Sequence, residues 1–175
     1  MNPQDQSPSE EFGNFVRRNQ TWNFWVNVGD ISFYRLATSF VFLTTILPLY
    51  ISNLTESKVL IGFIPAIATM AYYLPQIFTA AYAESLSRKK PWILRVSTLE
   101  RLPFLIIGAA AILWPVAPPM FSYILLLIMM VVQSGAAGIT SPAWYSMLAT
   151  ILNKNHKGTM FGFGTAFGSL MGAAG

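Results

Sequence analysis

Cysteine is absent from the 175-residue chain, and charge is scarce, with Asp, Glu, Lys and Arg together making up 10%. Without a thiol, disulfides, thiolate metal sites and cysteine nucleophiles are all excluded. The single histidine, His156, stands in a short polar loop with no partner ligands at metal-binding spacing. Neither a metal nor another cofactor is expected. A glycine-rich phosphate loop, a Ser-His-Asp set and an HExxH helix are missing too, which leaves enzyme chemistry without a foundation. The shortage of charge excludes more. Soluble chains carry roughly 25% charged residues, whereas 54% of this chain is hydrophobic. A soluble protein of this size could not cover its surface with so few charges, so lipid is the expected solvent for most of the chain.

The formal charge of +4 does not indicate nucleic acid as a partner, because the cations fall in short clusters between apolar runs. That spacing suits loops at a membrane surface. The N-terminal stretch MNPQDQSPSEEFGNF has no basic leader followed by a short apolar core, so no cleavable signal peptide is expected.

A helix crossing the hydrocarbon needs about 20 mostly apolar residues. Four segments qualify, at about 31–52, 59–83, 92–115 and 120–152. The last is long enough to protrude, and Pro142 marks a kink or an end. A fifth apolar run, 160–175, is too short to span and stops at Gly175. A helix ending inside the bilayer would leave terminal carbonyls in hydrocarbon, so the run reads as cut off mid-helix. The expected organisation is a cytoplasmic or interfacial segment over 1–30 and a transmembrane domain over 31–175. The fold class is an all-α membrane protein, a bundle of transmembrane helices.

The loops carry the orientation. Arg17 and Arg18, then Arg88, Lys89 and Lys90, then Lys154 and Lys157 lie on alternate loops, and the opposite loops hold only Lys58. Seven cations against one is a positive-inside pattern with the N-terminus in the cytoplasm, as in a plasma (cell inner) membrane. The aromatic residues Phe12, Phe15, Trp22, Phe24 and Trp25 before the first span read as a segment lying among lipid headgroups.

The stretch Ala80 to Lys90, AAYAESLSRKK, interrupts two apolar runs with one carboxylate and three consecutive cations. It resembles the loop between helices two and three of the major facilitator superfamily, whose pattern is Gly-x-Leu-Ala-Asp-Arg-x-Gly-Arg followed by two basic positions. Glu84 stands for the aspartate, and Arg88, Lys89 and Lys90 stand for the basic run. Ala80, Tyr82, Ser85 and Ser87 depart from the pattern. Ser141-Pro142-Ala143 and the Lys157-Gly158 step are similar to the family's end of helix four and start of helix five. The resemblance covers about Ile31 to Gly175. It implies the first four helices and part of the fifth of a twelve-helix secondary transporter working by alternating access, with a C-terminal half of the same protein as partner. It also implies that Glu84, Arg88, Lys89 and Lys90 form a cytoplasmic latch made in one state and broken in the other. The residues alone allow an ordinary anchor, or an exposed i,i+4 pair between Glu84 and Arg88.

Arg35, Arg95, Glu100 and Arg101 lie within or near the spans, and intramembrane charge is a functional candidate by default. All four fall in the cytoplasmic half, where the arginines can snorkel. Glu100 has less reach, and Arg95 and Arg101 are not spaced to pair with it on one helix face, so its partner is expected on another helix, with Arg35 one candidate. At the midplane the polar groups are Thr44 and Thr45, Tyr72, Tyr73 and Gln76, and Gln133 with Ser134. The resemblance implies that helices one, two, four and five line the cavity, which makes Gln133 the leading substrate contact. An interhelical hydrogen bond is the competing reading. A cavity of amides, hydroxyls and aromatics suits an uncharged or amphipathic small solute. Gly164, Gly168 and Gly172 recur every four residues and read as a helix-packing face.

Three functions compete: a secondary transporter; a small non-enzymatic membrane subunit or scaffold that oligomerises through its glycine face; and a membrane-embedded enzyme, for which no catalytic cluster is visible. For Glu100, structural pairing predicts that Glu100→Gln leaves transport unchanged, measured as solute uptake per molecule of protein. A gating or coupling role predicts its loss.

Overall fold

The computed structural model describes residues 8–113 and 116–174. The expected end of the third span, at 114–115, lies outside the described residues. Seven helices follow one another: α1 (Pro8–Arg18), α2 (Gln20–Ser39), α3 (Ile46–Ser52), α4 (Lys58–Ser85), α5 (Lys89–Leu113), α6 (Pro119–Ile151) and α7 (Lys154–Ala174). Among the described residues, α4, α5 and α6 are the three helices long and apolar enough to cross a membrane.

The apolar stretch 31–52 is not one helix. α2 ends at Ser39 and α3 starts at Ile46. Between them the backbone tightens: Val41 donates to the Thr38 carbonyl at 3.2 Å and Thr45 to the Phe42 carbonyl at 3.3 Å, both three residues back. The Thr38 and Ser39 hydroxyls also turn onto carbonyls of their own helix. Such bonds compete with the regular ladder at a helix end. Prolines do the opposite of what isolated propensity dictates. Pro65 and Pro75 lie inside α4, Pro103 inside α5 and Pro142 inside α6. Thus α6 runs through Pro142 to Ile151. Away from water no solvent competes for the backbone, and helix is the default even across a proline.

The chain divides into two compact units, residues 1–41 with 148–175, and residues 42–147. In the first, α2 and α7 run parallel with a fixed register. Gly164 faces Ile31, Gly168 faces Ser32 and Arg35, and Gly172 faces Ser39. A Cβ at Gly164 would lie 2.8 Å from the Ile31 Cβ, and one at Gly172 would lie 2.8 Å from the Ser39 Cβ. At Gly168 it would press into Arg35 Cβ. None of these glycines has positive φ, so their use is close approach and not backbone freedom. The buried Ser32 hydroxyl bonds the Val28 carbonyl at 2.7 Å and the Gly164 carbonyl at 3.2 Å. At the foot of the pair, Asn23 Nδ2 donates to the Ile151 carbonyl at 3.4 Å. Phe24 and Trp25 both lean on α7: the Phe24 ring meets His156 and Phe163 edge-on, and the Trp25 ring lies 6.2 Å from that of Phe163.

In the second unit α4 and α6 run parallel as well. The Tyr123 hydroxyl donates to the Leu60 carbonyl at 3.1 Å near one end, and Tyr72 pairs with Ser141 farther along both helices. α3 packs on α4. Ala83, Ile93 and Ala143 form a buried cluster from α4, α5 and α6, flanked by Trp92, Trp144 and Met147. Large apolar side chains such as Ile77, Phe78, Ile112 and Leu113 are exposed, Leu113 by 82%. Glu100, Gln133, Ser134 and Thr140 are buried. Apolar outside and polar inside is the partition expected where lipid is the solvent.

The glycine contacts set a stability test in detergent. Gly168→Ala should cost about 1–3 kcal/mol through overpacking. Gly162→Ala, which meets nothing within 4 Å, should be neutral or stabilising by up to about 1 kcal/mol. Thermal unfolding of the two variants beside the parent checks both.

Candidate functional site

Polar side chains of the second unit gather on facing stripes of α4 and α6. On α6, Ser134, Gly138 and Ser141 follow at helical spacing, and on α4 so do Tyr72, Gln76 and Thr79. The stripes meet where Gly138 lies against the Tyr72 carbonyl and Gly135 beside the Ala71 carbonyl. A side chain at Gly138 would collide with backbone, so only glycine allows this approach. The approach places the Tyr72 hydroxyl 2.9 Å from Ser141 Oγ, and Ser141 donates in turn to the Ala137 carbonyl at 2.9 Å. Gln76 Nε2 donates to the Tyr72 carbonyl at 3.1 Å. Two turns up α6, Ser134 Oγ donates to Gln133 Oε1 at 3.2 Å, and both residues are buried. The Gln133 amide N–H groups and the second face of its carbonyl are thereby left for a partner beyond Ser134.

The seam is neutral. From Val59 to Ala83 on α4 and along all of α6 there is no Asp, Glu, Lys, Arg or His. It can hydrogen-bond and stack through hydroxyl, amide and aromatic groups, and its helices bring no carboxylate, ammonium, guanidinium or imidazole to it.

Of the residues expected from sequence, Tyr72 and Gln76 stand together in this seam on α4, with Gln133 on the facing helix. Tyr73 is 61% exposed and touches the seam only through its ring, edge-on to Tyr72 at 5.1 Å. Thr44 and Thr45 are exposed in the link between α2 and α3. Among the described residues, no hydrogen bond of the seam includes them. Ser141 and Gly138 were not expected as site residues. The run SGAAGITSP carried the signal, since small residues three and four apart ahead of a hydroxyl mark a face where another backbone can come close.

The basic loop is short. α4 ends at Ser85, Leu86 is extended with ψ 117°, and α5 begins at Lys89. Because Leu86 leaves the helix, the i,i+4 helical geometry considered for Glu84 and Arg88 does not exist. Glu84, Arg88 and Lys90 are exposed, while half-buried Lys89 turns its Nζ onto the Leu86 carbonyl at 3.2 Å. That contact caps the preceding chain with a cation, favourable beside free carbonyls. Farther along α5, Arg95 and Arg101 are exposed, and Arg101 donates to the Ser97 carbonyl at 3.0 Å. Glu100 is buried and is not without a partner. Arg35 is exposed on α2, its stem against Gly168.

Membrane-length helices, apolar residues turned outward and a polar seam within define an integral membrane protein of the helical class. The family profile of the Major Facilitator Superfamily matches residues 2–175, and the chain belongs to that family of membrane transporters. No curated protein and no solved structure matches the chain.

The Tyr72–Ser141 bond gives the seam a direct test. Tyr72→Phe and Ser141→Ala should each destabilise the protein, and the double variant should lose less than their sum. The coupling energy expected from thermal unfolding is about 0.6–2 kcal/mol, as for interhelical hydrogen bonds in lipid.

Proposed function

We propose that this chain serves a secondary transporter that moves a small uncharged or amphipathic solute across the plasma membrane by alternating access, with its N-terminus in the cytoplasm. The observation that carries the reading is the neutral seam between α4 and α6, where Tyr72, Gln76, Gln133 and Ser141 offer amide, hydroxyl and aromatic groups without a fixed charge. A charged solute would enter such a seam at the full cost of desolvation, whereas a neutral one exchanges its water for these donors and acceptors.

In this reading the solute is held between this seam and a second half of the same transporter. Glu84, Arg88, Lys89 and Lys90 act as the latch on the cytoplasmic side. The three-residue link between α4 and α5 supports that role, because a tight turn presents exposed Glu84 and Arg88 at a fixed place. Contacts made by such a loop in one state only bias the equilibrium between states. The competing reading, a scaffold joining copies through Gly164, Gly168 and Gly172, is disfavoured because α2 already fills that face within the chain.

Binding is the first test. A thermal-shift panel of uncharged, amphipathic and charged solutes on the purified protein should yield stabilising compounds from the first two classes only. Gln133→Leu should weaken binding of such a compound about tenfold, the worth of one buried hydrogen bond, with the unliganded protein still folded. Stabilisation by charged solutes alone, or full affinity in Gln133→Leu, would reject the reading.

A further inference from the structure

The segment ahead of the membrane helices presents a face that the chain does not cover. In α1, Phe12, Phe15 and Val16 fall on one stripe at helical spacing, with Arg17 and Arg18 in the last turn on the polar side, in line with Glu10 and Glu11 of the first turn. Phe12 and Phe15 are exposed, Phe15 by 64%. One residue separates α1 from α2, and the first turns of α2 add Trp22, 71% exposed, and exposed Trp25. Phe24, between those tryptophans, packs on Phe163 of α7, and the Trp25 ring keeps one side against that same Phe163 at 6.2 Å while the rest of it is exposed. The outward direction therefore belongs to particular side chains and not to the segment as a whole.

Register fixes the height of this face. α2 and α7 pair Ile31 with Gly164. The same register, continued back along both helices, sets Trp22 level with Asn155, in the first turn of α7. His156 and Lys157 flank that level, and Lys157 Nζ bonds the Ala149 carbonyl of α6 at 3.3 Å. The tryptophans thus stand beside the polar connection between α6 and α7. α1 joins α2 through Asn19 at that end, remote from the part of α2 packed on the glycine face. Tryptophan and arginine have opposite demands there: the ring seeks the headgroup boundary, and the guanidinium seeks phosphate. Arg17 keeps a donor in use toward Asn14 Oδ1 at 2.8 Å, and its fork retains further N–H groups.

We propose that α1 and the first turns of α2 form a docking element for anionic phospholipid at the cytoplasmic leaflet. Phe12, Phe15, Trp22 and Trp25 enter the headgroup boundary, and Arg17 and Arg18 engage lipid phosphate and surface charge. The choice of leaflet rests on the cytoplasmic orientation given above. Lipid is the occupant that fits, because an aromatic stripe with two arginines on the polar side of the same helix complements an apolar boundary under a negative surface.

The chain has no native cysteine, so Phe15→Cys can carry a polarity-sensitive fluorophore without background. The labelled full chain is reconstituted in phosphatidylcholine vesicles and in vesicles containing about one-third phosphatidylglycerol. The expected result is blue-shifted emission and protection from a water-soluble quencher in the anionic vesicles, severalfold greater than in neutral ones. Arg17→Gln and Arg18→Gln should each weaken that protection about fivefold, and added salt should do the same. Equal protection in both vesicles overturns the proposal in favour of an uncharged interface. Protection in detergent that rises with protein concentration overturns it in favour of a second copy of the chain, and exposure in both vesicles overturns it outright. Sidedness is read separately from Asn155→Cys and an impermeant thiol reagent. Labelling from outside intact cells would remove the cytoplasmic assignment while leaving a lipid dependence measured in vesicles standing.

Discussion

Where Gly138 of α6 lies against the Tyr72 carbonyl of α4, two backbones touch without a side chain between them. Helices already immersed in lipid gain little by hiding apolar surface from it, so dispersion at short range and a few polar bonds must hold them. Close approach supplies both. It lengthens the strip of atoms in contact, and it brings the Tyr72 hydroxyl within bonding distance of Ser141. The α2–α7 pair repeats the device with three glycines in register and the Ser32 hydroxyl bonding across to the Gly164 carbonyl. A hydroxyl bonded across a glycine contact is the recurring joint of this molecule.

The same constraint explains how polar residues are tolerated within long apolar helices. Thr69 and Thr79 bond back to the Pro65 and Pro75 carbonyls, and Thr140 to that of Ala136. Each hydroxyl satisfies itself on its own helix and asks nothing of lipid. Groups that reach another helix are fewer, and among the described hydrogen bonds of the second unit they include Tyr123 and Tyr72. Both are tyrosines, whose length lets the ring fill apolar space while the hydroxyl reaches a partner. The indole Nε1 of Trp92 is different: it is buried without a hydrogen-bond partner, and nothing in the surrounding cluster explains it.

Hydropathy made α4, α5 and α6 legible, because a run of apolar residues without charge has one common outcome in lipid. It failed at 31–52, where SFVFLTTI carries no charge while the helix breaks at Phe40. A break made from hydroxyl back-bonding and tightened turns leaves no mark in a hydropathy average. Of the kink or end that Pro142 suggested, the end does not occur, since proline weakens a helix by an amount that the surrounding apolar medium outweighs. The glycines at four-residue intervals were visible as a packing face, but not the partner they meet. Gly138 was hidden in a run of small residues. Its role appears only when α4 is brought beside it, which is a fact of topology and not of local pattern.

Topology is also what these contacts determine. Short loops hold sequential helices together: three residues join α4 to α5, and two join α6 to α7. Such loops make antiparallel neighbours almost without further instruction. Parallel neighbours have no such help, because their ends are separated by a whole crossing of the membrane. The glycine contacts described here fall on parallel pairs, α2 with α7 and α4 with α6. A glycine in these positions therefore acts on arrangement more than on helix formation. Each helix could form with alanine there, and alanine is the better helix former. What alanine would remove is the reason for two non-sequential helices to choose each other. The seam depends on that choice, since the Tyr72 hydroxyl reaches Ser141 only while α4 and α6 remain paired.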